Sequence, residues 1–322
     1  MAHDGGALAS PGSLKGALSA VEASRALASG LRSGGARADE LPIADGGDGT
    51  AEVLAAALGG EWRSAVVSGP LGRPVQARWL LLPDGAAVVE SAEAIGLARL
   101  GPDERDPLRA SSRGLGELIL AAAEVRGTER LLVCLGGSAT VDGGAGMREV
   151  LDRLPSQTTV LHDVRTTLDD AARLYGPQKG ATPDMVAELS ARLAALPELR
   201  RFAALPGAGA AGGLGAAFAA LGAELRPGAA YILDRLDFRE RVARAELVVT
   251  GEGIVDPTTL EGKAPGEALR VCREVGTRCA VFGGRVLERL PDAEMHELSG
   301  RPERGRDDLV ALGERLGRDL VQ

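Results

Sequence analysis

The sequence predicts an α/β protein: a mostly parallel sheet with helices between its strands, and a second domain that begins with antiparallel strands. Three observations carry this reading. Short apolar runs recur along the chain, and five of them end in glycine-bearing loops, at 11–13 (PGS), 45–49 (DGGDG), 136–144 (GGSATVDGG), 251–253 (GEG) and 283–285 (GGR). Strands that stop at glycine and lead into a helix or turn are the repeating unit of parallel sheets. From Trp62 the period changes, and runs at 62–67, 75–82 and 86–90, separated by Gly69-Pro70-Leu71-Gly72 and Pro83-Asp84-Gly85, read as an antiparallel meander. At 322 residues, two domains are the natural count.

In chain order, residues 7–10 form a short first strand. Leu14, Leu18 and Val21 then recur at helical spacing with Ser13 as N-cap, which sets Lys15 in a first helical turn. An ammonium there opposes the helix dipole unless an anion binds nearby. Residues 41–44 form the second strand. Beyond it, Asp45 reads as a ligand for magnesium or a substrate hydroxyl, and Asp48 as a cap for the helix at 51–58, which Gly59-Gly60 stops. Glu90-Ser91 closes the meander. Ser111-Ser112-Arg113-Gly114 opens a helix to Ala123; Ser-Arg there is either a carboxylate or phosphate clamp, or a cap beside a surface arginine.

The buried strand 131–135 leads into the loop around which the chain is organised, GGSATVDGGAGM at 136–147. Its glycines either turn backbone N–H groups toward a phosphate or form a tight turn. A helix to Leu154 follows, then a strand at 159–164 carrying His162 and Asp163, a turn at 175–180 presenting Gln178 and Lys179, and a helix at 187–196. Residues 206–213 contain a G-x-G-x-x-G without a clear strand before it or an acidic partner after it, and read as close helix packing or a substrate loop. A clear strand at 247–250 precedes Glu252, Asp256 and Lys263; a last strand at 279–282 and a charged helical tail from Pro302 complete the chain. The five glycine loops are expected on one sheet edge, where open parallel sheets bind ligands.

Composition excludes several classes. A net charge of −8 and a pI near 5.2 argue against nucleic acid as partner. Three cysteines, Cys134, Cys272 and Cys279, form no CxxC and fit a reducing cytoplasm. The leading MAHDGGALAS lacks the regions of a signal peptide, and the charge-free run 202–223 is Ala- and Gly-rich with Pro206 inside, so no membrane span is expected. Only three of 37 basic residues are lysine, Lys15, Lys179 and Lys263, and each adjoins a glycine. A compact ammonium suits a phosphoryl group in a tight site where a planar guanidinium does not fit.

Glycine loops, lysines and carboxylates suffice for phosphoryl transfer, which needs positioning and charge stabilisation more than a nucleophilic side chain. Three histidines, His3, His162 and His296, and no G-x-S-x-G disfavour a Ser-His-Asp hydrolase; no zinc pattern or Walker A spacing is present.

The segments SPGSLKGALSA, IADGGDGT, SGPLGRPV, RDPLRASSRGLGELI, LGGSATVDGGAGM, YGPQKGA, PGAGAAGGLGAA and VVTGEGIVDPTTLEGKAPG resemble, in order, the motifs of the class I glycerate kinase family. The resemblance implies phosphorylation of glycerate with ATP and magnesium, on a Rossmann-like domain (1–62, 105–165 and 240–322) interrupted by a smaller α/β domain (63–104 and 166–239) that contains the antiparallel strands, with substrates in the cleft between them; it leaves monomer and homo-oligomer both open. Lys15, Asp45, Asp256 and Lys263 sit at matching motif positions; their individual roles do not follow from the match, and we expect them to be catalytic, with the lysines on phosphoryl oxygens and Asp45 or Asp256 orienting the hydroxyl. Ser112, Arg113, Gln178 and Lys179, also at matching positions, are expected to contact substrate, with Arg113 on the glycerate carboxylate. Gly136, Gly137, Ser138, Gly143, Gly144, Gly251 and Gly253 are expected on nucleotide phosphates, and Asp142 or Glu252 near the metal. The chain departs from the family at Gly12 and Leu14, Val141, Ile254 and Thr258, and has a shortened stretch 147–175. These departures raise an alternative, a catalytically impaired paralogue that binds a nucleotide or hydroxy acid as a regulator.

Overall fold

The computed structural model describes residues 6–291 and 293–322; residues 1–5, which include His3 and the start of the stretch read for a signal peptide, lie outside the described residues. The strands are β1 (Ala7–Ala9), β2 (Ala38–Glu40), β3 (Glu61–Ser68), β4 (Pro74–Leu81), β5 (Ala86–Glu90), β6 (Arg130–Leu135), β7 (Gln157–His162), β8 (Glu224–Pro227), β9 (Leu247–Val255), β10 (Arg278–Val286) and β11 (Glu294–Glu297). Two compact units result, one of Met1–Asp45, Glu52–Ala57 and Ala229–Gln322, the other of Gly46–Ala51 and Leu58–Gly228. The α/β class with one parallel and one mixed sheet is as expected.

The first unit is built on a five-stranded parallel sheet ordered β11-β10-β9-β1-β2. The order reverses at β1, with β2 on one side and β9 on the other, and such a reversal opens a crevice at the strands' carboxyl ends. The helices Ala20–Ser33 and Gly305–Val321 bury Leu27 and Leu31 with Leu309, Leu312 and Leu316. They approach backbone to backbone: a Cβ on Gly30 would stand 2.1 Å from the Val310 carbonyl oxygen.

Local details of this unit differ from expectation. The first helix starts after Ser19, not Ser13, because Ser19 and Glu22 form a reciprocal cap: the Glu22 N–H donates to Ser19 Oγ (3.2 Å) and the Ser19 N–H to Glu22 Oε2 (2.9 Å). Lys15 therefore lies in a turn closed by the Leu14 N–H donating to the Leu18 carbonyl (2.9 Å), not in a helix. The second strand is Ala38–Glu40 rather than 41–44; the apolar run still lies beside the first strand, with Leu41 N–H donating to Ala9 O (3.0 Å) and Ile43 N–H to Pro11 O (3.1 Å), but Pro42 has no N–H to extend the ladder. The GEG and GGR segments are not loops. They are paired in register inside β9 and β10, Gly251 opposite Phe282 and Glu252 opposite Gly283.

The second unit has a six-stranded sheet ordered β3-β4-β5-β6-β7-β8, antiparallel from β3 to β5 and parallel from β5 to β8. The meander is thus as read. Residues 105–165, expected in the first domain, differ: β6 and β7 extend this sheet, because the apolar Leu131–Leu135 run is buried between β5 and β7. The loop at 136–147 consequently belongs to the second unit, and the five glycine segments do not share one sheet edge. The helix after it is only Ala145–Arg148. Residues 206–213 pack closely: a Cβ on Gly212 would stand 2.1 Å from Thr140 O, and one on Gly207 2.5 Å from the His162 ring. Among the described residues, no helix is long and apolar enough to cross a membrane.

Candidate functional site

Two polar clusters stand at strand ends, one in each unit. In the first unit, the turn after β1 is tied to β9 by Gly12 N–H donating to Gly251 O (2.9 Å), and a Cβ on Gly253 would lie 3.5 Å from Lys15 N. This brings the backbone of exposed Lys15 beside Gly253, the residue after Glu252. Lys263, at the N-cap of the helix Ala264–Val275, holds its Nζ 3.5 Å from Glu252 Oε2 and 3.8 Å from Asp256 Oδ1. Thr259 Oγ1 donates to Glu252 Oε1 (2.8 Å). Burial pushes the Glu252 carboxyl above its usual range and the charge of Asp45 adds to the push, while Lys263 opposes it. Asp45, Glu252, Asp256, Lys15 and Lys263, separated by more than 200 positions in sequence, are therefore one constellation. Within it Asp256 serves the local structure. Its Oδ1 accepts the Thr258 N–H (2.9 Å) and the Thr258 hydroxyl, which holds its carboxyl below the usual range and caps the turn Pro257–Leu260.

The second unit gathers Ser112, Ser138, Asp142 and Lys179. Asp142 is a staple: Oδ2 accepts from Ser112 N–H (2.8 Å), Ser112 Oγ (2.7 Å) and Gly146 N–H (3.1 Å), and Oδ1 from Gly144 N–H (3.1 Å). Ser112 Oγ in turn accepts the Met147 N–H (2.9 Å). Both carboxylate oxygens accept hydrogen bonds from the loop or from Ser112, so Asp142 closes the loop. Lys179 is 3% exposed, and its Nζ donates to Ser138 Oγ (3.0 Å) and Thr140 O (2.7 Å). Burial pulls its ammonium down to about 7, with Asp142 resisting. It braces the loop from within. Gln178, beside it, is exposed.

Other expected ligands also have structural explanations. Arg113 lies between Glu117 (2.9 Å) and Glu149 (3.0 Å), a surface ion-pair network that leaves its guanidinium engaged. The Cβ positions of Gly143, Gly144 and Gly251 are filled by protein: Leu196 Cδ1 at 2.6 Å, Ala217 Cβ at 2.5 Å and Phe282 O at 2.1 Å. Gly136 is needed where the chain passes Gly47, whose Cα would be 2.8 Å away. A Cβ on Gly137 would meet Ala92 Cβ at 3.3 Å and Asp48 Cβ at 3.7 Å, and one on Gly253 only ordinary contacts from 3.5 Å.

Sequence reasoning misses Glu90. This residue ends β5, is 6% exposed, and accepts the Ala51 N–H on Oε1 at 2.7 Å. Next to it, Ser91 Oγ donates to Gly136 O (2.8 Å) and accepts the Gly136 N–H (3.1 Å). The only signal is a lone carboxylate closing the apolar run AAVVE.

Magnesium prefers oxygen ligands and usually takes one or two carboxylates together with substrate phosphates. Glu252 and Asp45 fit that demand, since their mutual repulsion is what a cation relieves. Among the described residues no group of three or more His, Cys, Asp or Glu stands ready to hold a metal by itself.

Strand order and cluster together define an α/β protein equipped to hold an anionic small molecule among lysines and carboxylates. The model of the glycerate kinase family matches residues 7–153 and 153–301. Glycerate 2-kinase of Escherichia coli K12 is 38% identical, over 89% of this chain and 87% of its own length. Glycerate kinase of Bacillus subtilis 168 is 39% identical, over 79% of this chain and 78% of its own. A crystal structure from Salmonella typhimurium LT2, provisionally assigned as glycerate kinase 2, superposes with a TM-score of 0.83 at 32% identity, covering 98% of each chain. The chain belongs to the glycerate kinase family and is a kinase.

Proposed function

We propose that the chain transfers the terminal phosphoryl group of ATP to a hydroxyl of glycerate, with magnesium, through the first unit's cluster. The observation that carries this reading is Lys263 poised between Glu252 and Asp256, beside the turn that bears Lys15. In it, Lys15 and Lys263 neutralise charge on the transferred group, with Lys263 at a helix N-terminus that already favours anions. Asp45 orients the attacking hydroxyl. Asp256 holds the Lys263 segment in place through Thr258. Glu252 and Asp45 would hold magnesium, which when bound screens the phosphate oxygens. The second unit's loop, kept in shape by Asp142 and Lys179, supplies further backbone N–H groups to the nucleotide phosphates.

Family departures are compatible with activity. Val141 is a core residue where the family has a polar one, and Thr258 meets the need to fix Asp256. Gly12 is the serious loss, since it lacks the family's carboxylate; a Cβ there would have only ordinary contacts, 3.5 Å to Gly251 O.

A coupled assay of ADP release with ATP, magnesium and D-glycerate, run beside Lys15→Ala and Gly12→Asp, tests this reading. We expect turnover in the unmodified chain and a loss of at least about a hundredfold in Lys15→Ala, the scale of removing one transition-state charge partner. Turnover only in Gly12→Asp would instead establish the impaired paralogue. Identification of the product isomer assigns the 2- or 3-hydroxyl.

A further inference from the structure

The reaction proposed above leaves Glu90 without a role, yet its burial is expensive. A carboxylate taken out of water must be compensated by a cation or by hydrogen bonds to its charged form. Among the described residues no cation is paired with it. The charges that face it are acidic: Asp48 from the 46–51 segment and Glu93 from the helix Ser91–Ile95. Glu93 is itself held by Arg78 (2.7 Å) and Arg99 (3.5 Å). What favours ionised Glu90 is backbone alone, the N–H groups of Ala51 and Gly49.

Those N–H groups belong to the segment that follows Asp45. Its start is wedged between Gly228 and Leu161, which a Cβ on Gly46 would meet at 2.6 and 2.8 Å, and Asp48 lies against Gly137, whose Cβ would be 3.7 Å from Asp48 Cβ. The segment thus runs over the carboxyl ends of β6, β7 and β8, and Glu90 fastens its far end beside β5.

We propose that Glu90 is a positioning residue for the kinase reaction: its carboxylate, when ionised, clamps the end of the 46–51 segment, and its protonation releases that segment and slows turnover. The proposal rests on the functional reading given above. A charged oxygen binds N–H groups about twice as strongly as a neutral one, so a proton on Glu90 both weakens the clamp and leaves an O–H donor facing other donors. Burial raises this carboxyl to about 7, which puts the change within the neutral range. The sign follows: the clamp is engaged above about pH 7 and released below it.

Two measurements test it. In the kinase assay at saturating magnesium-ATP, kcat of the unmodified chain should rise with pH through about 7. Glu90→Gln, which resembles the protonated carboxyl, should lose that rise and sit about tenfold below the plateau, with the KM for glycerate changed less than twofold, a cost within the range known for misplaced reacting groups. Glu90→Asp should keep a pH-dependent rise at a lower plateau. A Glu90→Gln profile that keeps the full rise would assign the titration elsewhere and overturn the proposal. The second readout needs no activity: the amide resonances of Gly49 and Ala51 should titrate together near pH 7 in the unmodified chain and not in Glu90→Gln. Amides that fail to titrate would overturn the clamp even in an active enzyme. Absent turnover with titrating amides would instead sink the functional reading while leaving the clamp.

Discussion

Lys179 shows how much of one residue's surroundings its sequence context leaves out. Flanked by glycine in a turn, it has the sequence context of a substrate ligand; its Nζ is instead spent on Ser138 and Thr140 inside the second unit. Sequence exposes the residue type and its neighbours, but burial is created by segments about forty positions away. The consequence is testable through stability. The folded state lowers this lysine from 10.5 to about 7, so between those values the unfolded chain binds more protons and stability should rise with pH. Glu90 does the reverse: raised from 4.5 to about 7, it favours the folded state below that window, and stability should fall as pH rises through it. Urea denaturation across pH should therefore show a falling contribution up to about 7 that Glu90→Gln removes, and a rising one beyond it that Lys179→Met removes. Variants with unchanged pH slopes would show that neither group is held as described. Asp142 teaches the same lesson: the loop 136–147 is legible as special, while its carboxylate's commitment to Ser112 and the backbone requires the fold.

At the scale of elements, the meander β3-β4-β5, the helix at Arg113–Ala123 and the tail helix are legible because their periods are strong and their boundaries carry turn residues. Local pattern makes β9 and β10 too short. Glycine usually weakens a strand, so GEG and GGR resemble strand ends; in the sheet, Gly251 is required because Phe282 of the neighbouring strand covers it. The two glycines of GEG should behave differently. Gly251→Ala would press a methyl to 2.1 Å from a backbone oxygen, which cannot swing aside, and should destabilise by at least about 2–3 kcal/mol or prevent folding. Gly253→Ala meets nothing closer than 3.5 Å and should fold normally, with its cost appearing in turnover because it stands beside Lys15. Thermal melts and the kinase assay on both variants separate the cases; equal melting temperatures would contradict the strand assignment.

For the whole molecule, the sequence indicates two domains and their classes but misplaces residues 105–165, since an apolar parallel strand such as β6 looks the same in either sheet. Long-range pairing decides its membership, and pairing is not written in local pattern. The second unit is almost one continuous segment, Leu58–Gly228, completed by the short piece Gly46–Ala51. That piece fills the space at Gly136 and supplies the N–H groups that compensate Glu90. A fragment of residues 58–228 would therefore leave the Glu90 carboxylate without these donors, a loss of about 1–3 kcal/mol for hydrogen bonds to a charged group. A fragment of residues 46–228 retains the donors. We expect the longer fragment to be more stable in urea at pH 8, with the gap closing toward pH 5, where Glu90 is protonated and needs its donors less. Equal stability of the two fragments at pH 8 would mean that the 46–51 segment is a passenger on the second unit's sheet and that Glu90 is compensated by some other means.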